Sequence, residues 1–299
     1  MGYAIVKELL NRQVSVIAFA RNKQKLENLF RHEELVQIHV GDASVIIDLE
    51  VAIKGVDIIF NAINIPYQEW TEMLPLITSN IVKVSKKRSV KLAIVDNIYA
   101  YGKRREERIA EDADKIPVTK KGKIRLELEK MVKESGVPYV RAHFPDFYGP
   151  HVENSYINHM LNNVLANKTA YFVGDLSVAR EYIYTPDGAN AIVELAFNNK
   201  SYGDNWNIPG FGVISGGELI NMIRDYTGFN KSVRSVNKRM LGLLGIFDKQ
   251  MRELVEMQYL NENPIVLDGT KYQIMIGELP RTSYHQGLIE TINSMSNKK

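Results

Sequence analysis

Three stretches of the sequence gather side chains able to move a proton or hold an anion. Residues 95–102, VDNIYAYG, bring the amide of Asn97 and the phenols of Tyr99 and Tyr101 together, with the carboxylate of Asp96 alongside. Residues 146–150, DFYGP, set Asp146 close to Tyr148, and residues 180–189, REYIYTPDGA, open on Arg180. A phenol or carboxylate held in a cleft can serve as general acid or base, and a guanidinium suits phosphate or carboxylate. The plainer reading of each tyrosine is a half-buried packing residue with its hydroxyl satisfied; both readings stand at this point. The histidines (His32, His39, His143, His151, His159 and His285) show no H-x-x-x-H or H-E-x-x-H pairing, so no metal site is expected. His143 reads as a satisfied core residue, and His151, beside Gly149-Pro150, as one that can face a cleft.

These groups sit in a chain of ordinary globular composition. The 299 residues carry 38 Lys plus Arg against 35 Asp plus Glu, 45 % apolar residues and no cysteine. A surplus of three positive charges is too small to imply a nucleic-acid or membrane partner. Without cysteine there are no disulfides, thiol nucleophiles or Cys-ligated metals. No apolar run approaches the ~18 residues of a membrane span, and no secretion signal opens the chain. A cytoplasmic protein acting on a small molecule is the expectation, with a homodimer left open.

The elements that must position these groups alternate. Residues 3–12 carry Ile5, Val6, Leu9 and Leu10 on one helical stripe. Residues 14–20 (VSVIAFA), 36–40 (VQIHV), 56–63 (VDIIFNAI) and 91–95 (KLAIV) are apolar runs suited to strands buried on both faces. Helical patterns at 23–30, 45–54 and about 68–87 separate them. Such alternation marks an α/β, Rossmann-type doubly wound parallel sheet. A sheet of this kind opens with a strand, a Gly-rich turn and then the first helix, whereas this sequence opens at the helix. Met1-Gly2 thus reads as the tail of a G-x-x-G-x-G turn, with roughly a dozen residues of strand and turn outside the sequence. The alternative is a fold that begins with a helix. On the first reading, residues 14–20 and 56–63 lack the neighbour between them.

In a dinucleotide-binding sheet, the residue just past the second strand selects the cofactor: an acid for the ribose of NAD, an arginine for the extra phosphate of NADP. Here the sequence reads Ala20-Arg21-Asn22-Lys23, with no acid. NADP is therefore the preferred cofactor, with NAD the alternative. Gly2 would lie against the pyrophosphate, Asp42 against adenine, and Asn61 and Ala62 along the pyrophosphate and ribose.

Read in order, VDNIYAYG, RAHFPDFYGP (141–150) and REYIYTPDGA resemble the extended short-chain dehydrogenase/reductase family, the NAD-dependent epimerases and dehydratases of nucleotide sugars. That family carries S-S-x-x-V-Y-G, Y-x-x-x-K, R-x-x-N-x-Y-G-P and R-x-[YF]-[IV]-x-V-x-D-x-A. The resemblance covers about residues 1–215 and points to an atypical branch. It implies hydride transfer at a hydroxyl or carbonyl of a small, sugar-derived substrate. It also places Lys123 on the nicotinamide ribose and Thr119 where the family has its catalytic tyrosine. Asn97 stands at the family's Ser or Thr, where it would polarise the reacting oxygen. An aliphatic hydroxyl cannot replace a phenol as proton acceptor near neutral pH, so Tyr99 or Tyr101 is the expected proton donor. Asp146 replaces an Asn that contacts substrate phosphate in the family, which weighs against a nucleotide substrate. Arg180, with Tyr148 nearby, is retained on the substrate side. A protein that kept the fold as a non-catalytic NAD(P)-binding sensor is the rival reading, and an inert truncated product the third.

Residues 1–153, with 170–200 returning, are expected to form the dinucleotide-binding domain; 154–169 and 201–299 form a smaller mixed substrate lobe. Met240, Leu241, Leu244, Met251, Leu254 and Met257 give its late helices an apolar face, for core packing or a substrate wall. With the complete Gly-rich turn in place, NADPH should bind more tightly than NADH, and Arg21→Asp should reverse the order. Equal affinities by calorimetry would remove Arg21 as the selecting residue.

Overall fold

The structure, a computed structural model, describes residues 1–104, 106–244 and 249–296. Its first part runs α1 (Gly2–Asn11), β1 (Val16–Ala20), α2 (Lys23–Phe30), β2 (Val36–Val40), α3 (Ile46–Ala52), β3 (Ile58–Asn61), α4 (Trp70–Arg88) and β4 (Lys91–Asn97). Next come α5 (Lys120–Ser135), β5 (Tyr139–Phe144), β6 (Asp146–Tyr148), α6 (Tyr156–Leu165), β7 (Ala170–Val173), β8 (Ala179–Tyr184) and α7 (Thr185–Phe197). The chain continues through β9 (Asp204–Asn207), β10 (Val213–Ser215), α8 (Gly216–Thr227), β11 (Val233–Val236), α9 (Lys238–Leu244) and α10 (Lys249–Val255). It closes with α11 (Tyr259–Glu262), α12 (Thr270–Met275) and α13 (Tyr284–Ser296). Side chains set several helix starts: Asn22, Thr119 and Ser155 each accept a first-turn amide, and Ser215 with Glu218 forms a reciprocal capping box.

The main sheet is parallel, in the order β3-β4-β5-β9, and β1-β2 forms a separate parallel pair. Helices α1 and α7 bury Ile5, Leu9, Ile192 and Leu195 against one face. Helices α3, α4 and α5 bury Leu49, Ile77, Ile81, Leu128 and Val132 against the other. This is a doubly wound, Rossmann-type arrangement. Between β1 and β3 the sheet is open. Bonds from Val16 N to Leu35 O and from Gly41 N to Ala20 O turn the even-numbered residues of β1 toward β2. By alternation, the backbone groups of Ile17 and Phe19 face the opening. Lys91 N donates to Asp57 O, which likewise turns Ile58 and Phe60 toward the opening from the other side.

The second lobe holds β10-β8-β6 and β11-β7, packed by α6, α8 and α13 through Ile157, Leu161, Leu219, Ile223, Leu288 and Ile292. The division differs from the sequence expectation in several strands: β6 and β8, placed by sequence in the dinucleotide-binding domain, pair with each other and, through β8, with β10 in the second lobe. β9, placed by sequence in the substrate lobe, pairs with β5 in the main sheet, and Trp206 is fully buried there. β7, placed with the returning segment, pairs instead with β11. Both pairings are non-local and leave no periodic mark in the sequence. Of the expected late-helix face, Leu241 and Met257 are buried while Met240 is exposed; the side chains of Leu244 and Met251 lie outside those described. Among the described residues no helix is long and apolar enough to cross a membrane.

One buried acid anchors the segment before α12 to β8. Glu181 of β8 accepts a hydrogen bond from Leu267 N (3.1 Å), and burial pushes its carboxyl up to about 7. A carboxyl raised in the folded state favours folding most below its unfolded value near 4.5, and that contribution is lost as pH rises through about 7. Glu181→Gln should therefore unfold at higher denaturant than the parent at pH 8, by on the order of 2 kcal/mol, with the gap closing at pH 5. A difference independent of pH would show that the carboxyl does not titrate in this range.

Candidate cofactor and active site

One cleft of about 1900 Å³ runs along the C-terminal ends of β1, β3 and β4 and into the opening between β1 and β3. Gly2, Arg21, Asn22, Asp42, Asn61, Ala62, Asn97, Tyr99 and Asp146 all line it. Gly2 begins α1 and lies against Ala62, so that a Cβ there would meet the Ala62 Cβ at 3.8 Å. No side chain caps this helix start, which leaves first-turn amides for an anion. Arg21 stands at the lip, 62 % exposed, with its guanidinium 3.9 Å from Asp42. Asn22 caps α2 through the Lys25 amide. Asp42 accepts from the Ser44 amide and hydroxyl, both at 2.8 Å, and the amide bond leads the effects that hold its carboxyl below the usual range. Asn61 accepts from Ile63 N at 3.2 Å.

At the other end, Asn97 closes β4, and its side-chain oxygen accepts from Tyr99 N (3.1 Å). The remaining donor of that amide is its NH₂. The Tyr99 hydroxyl meets that of Tyr67 at 2.7 Å. Burial pushes the Tyr67 phenol up to about 12 and the Tyr99 phenol well above its ordinary value, with Asp146 nearby opposing ionisation of both. Trp70 braces the pair: its ring lies edge-on to Tyr67 (4.9 Å) and stacks on Tyr99 (6.1 Å), while its indole N–H donates to Ile65 O (3.0 Å). Arg125 lies over Trp70 at 4.4 Å and 3.4 Å from Asp96. Asp96 also receives Arg141 at 2.5 Å. Burial would raise the Asp96 carboxyl, but Arg125, Arg141 and neighbouring donors outweigh it and hold it below its ordinary value.

The other expected residues sit elsewhere. Thr119 is buried, and its hydroxyl accepts from Gly122 N (3.0 Å) at the start of α5. Lys123 is exposed on α5. The buried lysine is Lys121, paired with Glu253 (2.7 Å) and Glu256 (2.5 Å) and 4.8 Å over the Tyr67 ring. Gly122 permits this approach: a Cβ there would stand 2.5 Å from Tyr99 O. Tyr101 is fully buried and donates to Asn207 (2.7 Å), away from the cleft. Tyr148 packs among Tyr184 and Tyr284 in the second lobe. Arg180 is buried between Phe172 and Tyr182 and donates to Asn261 and to Val173 O. Its charge opposes burial at Asp146, where burial prevails and raises the carboxyl. His143 is buried on β5, its Nε2 3.3 Å from Lys115, and the ring of His151 lies 4.0 Å from that of Tyr3.

Tyr67, Trp70, Lys121, Arg125 and Tyr156, which also faces the cleft, were not singled out by sequence. A usable signal existed for two of them. Lys121, Ile124, Arg125, Leu128 and Val132 fall on one stripe of α5, and Lys123 falls off it. Among the described residues no cluster of three or more His, Asp or Glu could hold a metal.

Residues 1–155 match a protein-family model described as NAD(P)H-binding. No curated protein matches the sequence. Solved structures share the fold. UDP-glucuronic acid 4-epimerase from Bacillus cereus, in complex with NAD, superposes with a TM-score of 0.81 at 17 % identity, covering 99 % of this chain and 95 % of that one. UDP-glucose 4-epimerase from Thermotoga maritima, with UDP-glucose, gives 0.81 at 18 %, covering 99 % and 96 %. dTDP-glucose 4,6-dehydratase from Bacillus anthracis, in complex with NAD, gives 0.81 at 18 %, covering 98 % and 92 %.

Removing the Asp96 charge should show how far the site depends on it. Asp96→Asn leaves two guanidinium groups facing a neutral amide in the core, at a cost of about 3–5 kcal/mol. Because the carboxyl is depressed in the folded state, its contribution is present above pH 4 and disappears as acid titrates it. Denaturant unfolding of parent and variant should therefore differ most at pH 7 and converge in acid. Equal stabilities at pH 7 would mean the cluster is not what holds the strand end.

Proposed function

Since the chain belongs to the NAD(P)H-binding family, we propose that it is an epimerase-, dehydratase- or reductase-like enzyme acting on a hydroxyl or carbonyl of a small, neutral, polyhydroxylated substrate. The observation that carries this reading is the Tyr67–Tyr99 hydroxyl pair, 2.7 Å apart at the end of β4 and facing the cleft. The dinucleotide fits the residues present: Gly2 and the start of α1 would take the pyrophosphate, and Asn61 and Ala62 the adjoining ribose. Arg21, with no acid after it on the same turn, supports NADP over NAD. When bound, the nicotinamide supplies and withdraws hydride.

The protein's own part is proton handling and placement. With the Tyr67 phenol pushed up to about 12 and that of Tyr99 raised well above its ordinary value, both stay protonated at neutral pH. They act as donors to a substrate oxygen and pass a proton along their shared hydrogen bond. The Asn97 amide can donate to the same oxygen. Of the cations nearest the phenol pair and Asp146, Arg125 lines the cleft and is engaged by Asp96, while Lys121 and Arg180 lie behind its wall, held by two glutamates and by Asn261. With Asp146 at the wall, that arrangement favours a neutral substrate over a phosphorylated one.

A specific observation favours a second reading, a non-catalytic NAD(P)-binding sensor. Thr119 is engaged in capping α5 and Lys123 faces solvent, so neither of the motif positions expected from sequence converges on the cleft. Turnover separates the two. NADPH would be incubated with neutral polyhydroxylated aldehydes and ketones and, separately, with a UDP-4-ketosugar, following the loss of absorbance at 340 nm. Oxidation of NADPH by the neutral carbonyl substrate is expected, its oxygen taking a proton from the phenol pair, with no ionisation limb below about pH 10 from the tyrosines. Tyr99→Phe should lower kcat a hundredfold or more while leaving NADPH affinity unchanged, and Tyr67→Phe should lower it less. Tight NADPH binding with no turnover, unaffected by either substitution, would establish the sensor.

A further inference from the structure

The apolar face that the sequence places on the late helices reaches the cleft. Leu241 of α9 and Leu254 of α10 both line it. Leu254 lies in the stretch whose Glu253 and Glu256 pair with buried Lys121 at 2.7 and 2.5 Å, and α10 packs on the turn that carries Tyr67. Strand β7, Ala-Tyr-Phe-Val, extends this surface in the second lobe. Ala170 and Phe172 enter that lobe's core. By alternation Tyr171 and Val173 face away from it, and both line the cleft. Pairing of Val173 with Val236 brings the start of α9 beside β7, and α9 packs on α10, so the four side chains belong to one wall. Tyr171 is 47 % exposed, and apolar surface left open inside a cleft marks a contact for an apolar ligand group. Val173 O accepts from Arg180 (3.2 Å), and Arg180, itself buried, also donates to Asn261. Its guanidinium therefore serves the fold and not a phosphate. Asn163, at the rim of the wall, donates to His159 O (3.2 Å).

We propose that the substrate carries an apolar substituent, aryl or alkyl, which packs against Leu241, Leu254, Tyr171 and Val173 while its hydroxylated part faces Tyr67 and Tyr99. The hydroxylated part rests on the reading proposed above; the apolar part rests on the wall alone. Such a molecule is glycoside-like and neutral throughout. A nucleoside diphosphate ester differs from it in needing cations for its phosphates, and Arg180 is held behind the wall.

Binding to the full chain without added dinucleotide reads the wall and not turnover. Isothermal calorimetry would compare phenyl β-D-glucoside with methyl β-D-glucoside, which share every hydroxyl and differ only in the apolar group. The phenyl glucoside should bind roughly tenfold more tightly. Tyr171→Ser, at an exposed position, and Leu254→Asn should each lower that ratio by about threefold or more. Tyr171→Phe keeps the ring and should preserve the ratio. Equal affinities in the parent, binding of neither glycoside, or a preference that survives both Tyr171→Ser and Leu254→Asn would overturn the proposal. UDP-glucose binding more tightly than phenyl glucoside would overturn it as well. A phenyl preference that both substitutions weaken, with no carbonyl substrate oxidising NADPH, would remove the enzyme and uphold the wall.

Discussion

A carboxylate with 2 % of its side chain exposed is tenable in a protein core only beside cations that return its charge, and Asp96 has two. Arg141 reaches it from the neighbouring strand β5 and Arg125 from helix α5. One carboxylate therefore fixes three elements relative to one another at the end of β4, where the chain turns to deliver Asn97 and Tyr99. The contact continues outward, since Arg125 lies on Trp70 and Trp70 on both cleft tyrosines. The phenol pair is thus positioned from the core, not by the loops that carry it. A second ionic group supports the first from the same face. Burial alone would raise Glu129, but His143 and Lys115 outweigh it and hold it below the ordinary carboxylate range. Burial, helped by Lys115, lowers His143, so that ring stays neutral at physiological pH and Glu129 meets one lysine rather than two cations.

How much of this can be read from sequence depends on whether a residue's place follows from local order. The strand at 36–40 matches its apolar run residue for residue. Arg21, Asn22, Asp42, Asn61 and Asn97 were legible because each ends or follows a strand, and strand ends share one edge of a parallel sheet. Tyr67 was not, because its meaning lies in a partner 32 residues away. Thr119 and Lys123 were placed by counting along a motif, whereas the helix places side chains by phase; the buried stripe through Lys121 and Arg125 turns Lys123 outward. Tyr101 and Tyr148 share the chemistry of Tyr99 but lie in packed interiors, a difference that only tertiary contacts determine. The membership of β9 and β7 depended on non-local pairing in the same way.

The open sheet divides the cleft along a line that matters for its chemistry. Arg21, Asn22 and Asp42 stand on the β1-β2 side, and Asn61, Ala62, Asn97 and Tyr99 on the β3-β4 side. No strand pairing joins the two sides among the described residues. They are joined by apolar packing, through α1 against α7 and α3 against α4, and by Asn80 of α4, whose amide donates to Ala43 O and Ser44 O after β2. Apolar contacts resist separation but are less directional than a hydrogen-bonded ladder.

The two ends of a bound dinucleotide would therefore meet supports of different stiffness. The end near Tyr99 is held by charge pairs and ring contacts in a sheet of four paired strands, the arrangement expected of a precise catalytic constellation. The end near Arg21 is held by a two-stranded unit whose inner edge is unpaired, and regions with few buried hydrogen bonds open most readily. In the proposed enzyme, cofactor selection and proton transfer are then separable properties. A change at the Ile17–Phe19 edge is expected to move Arg21, Asn22 and Asp42 relative to Asn97 while leaving Tyr67, Tyr99 and their ionic support in place.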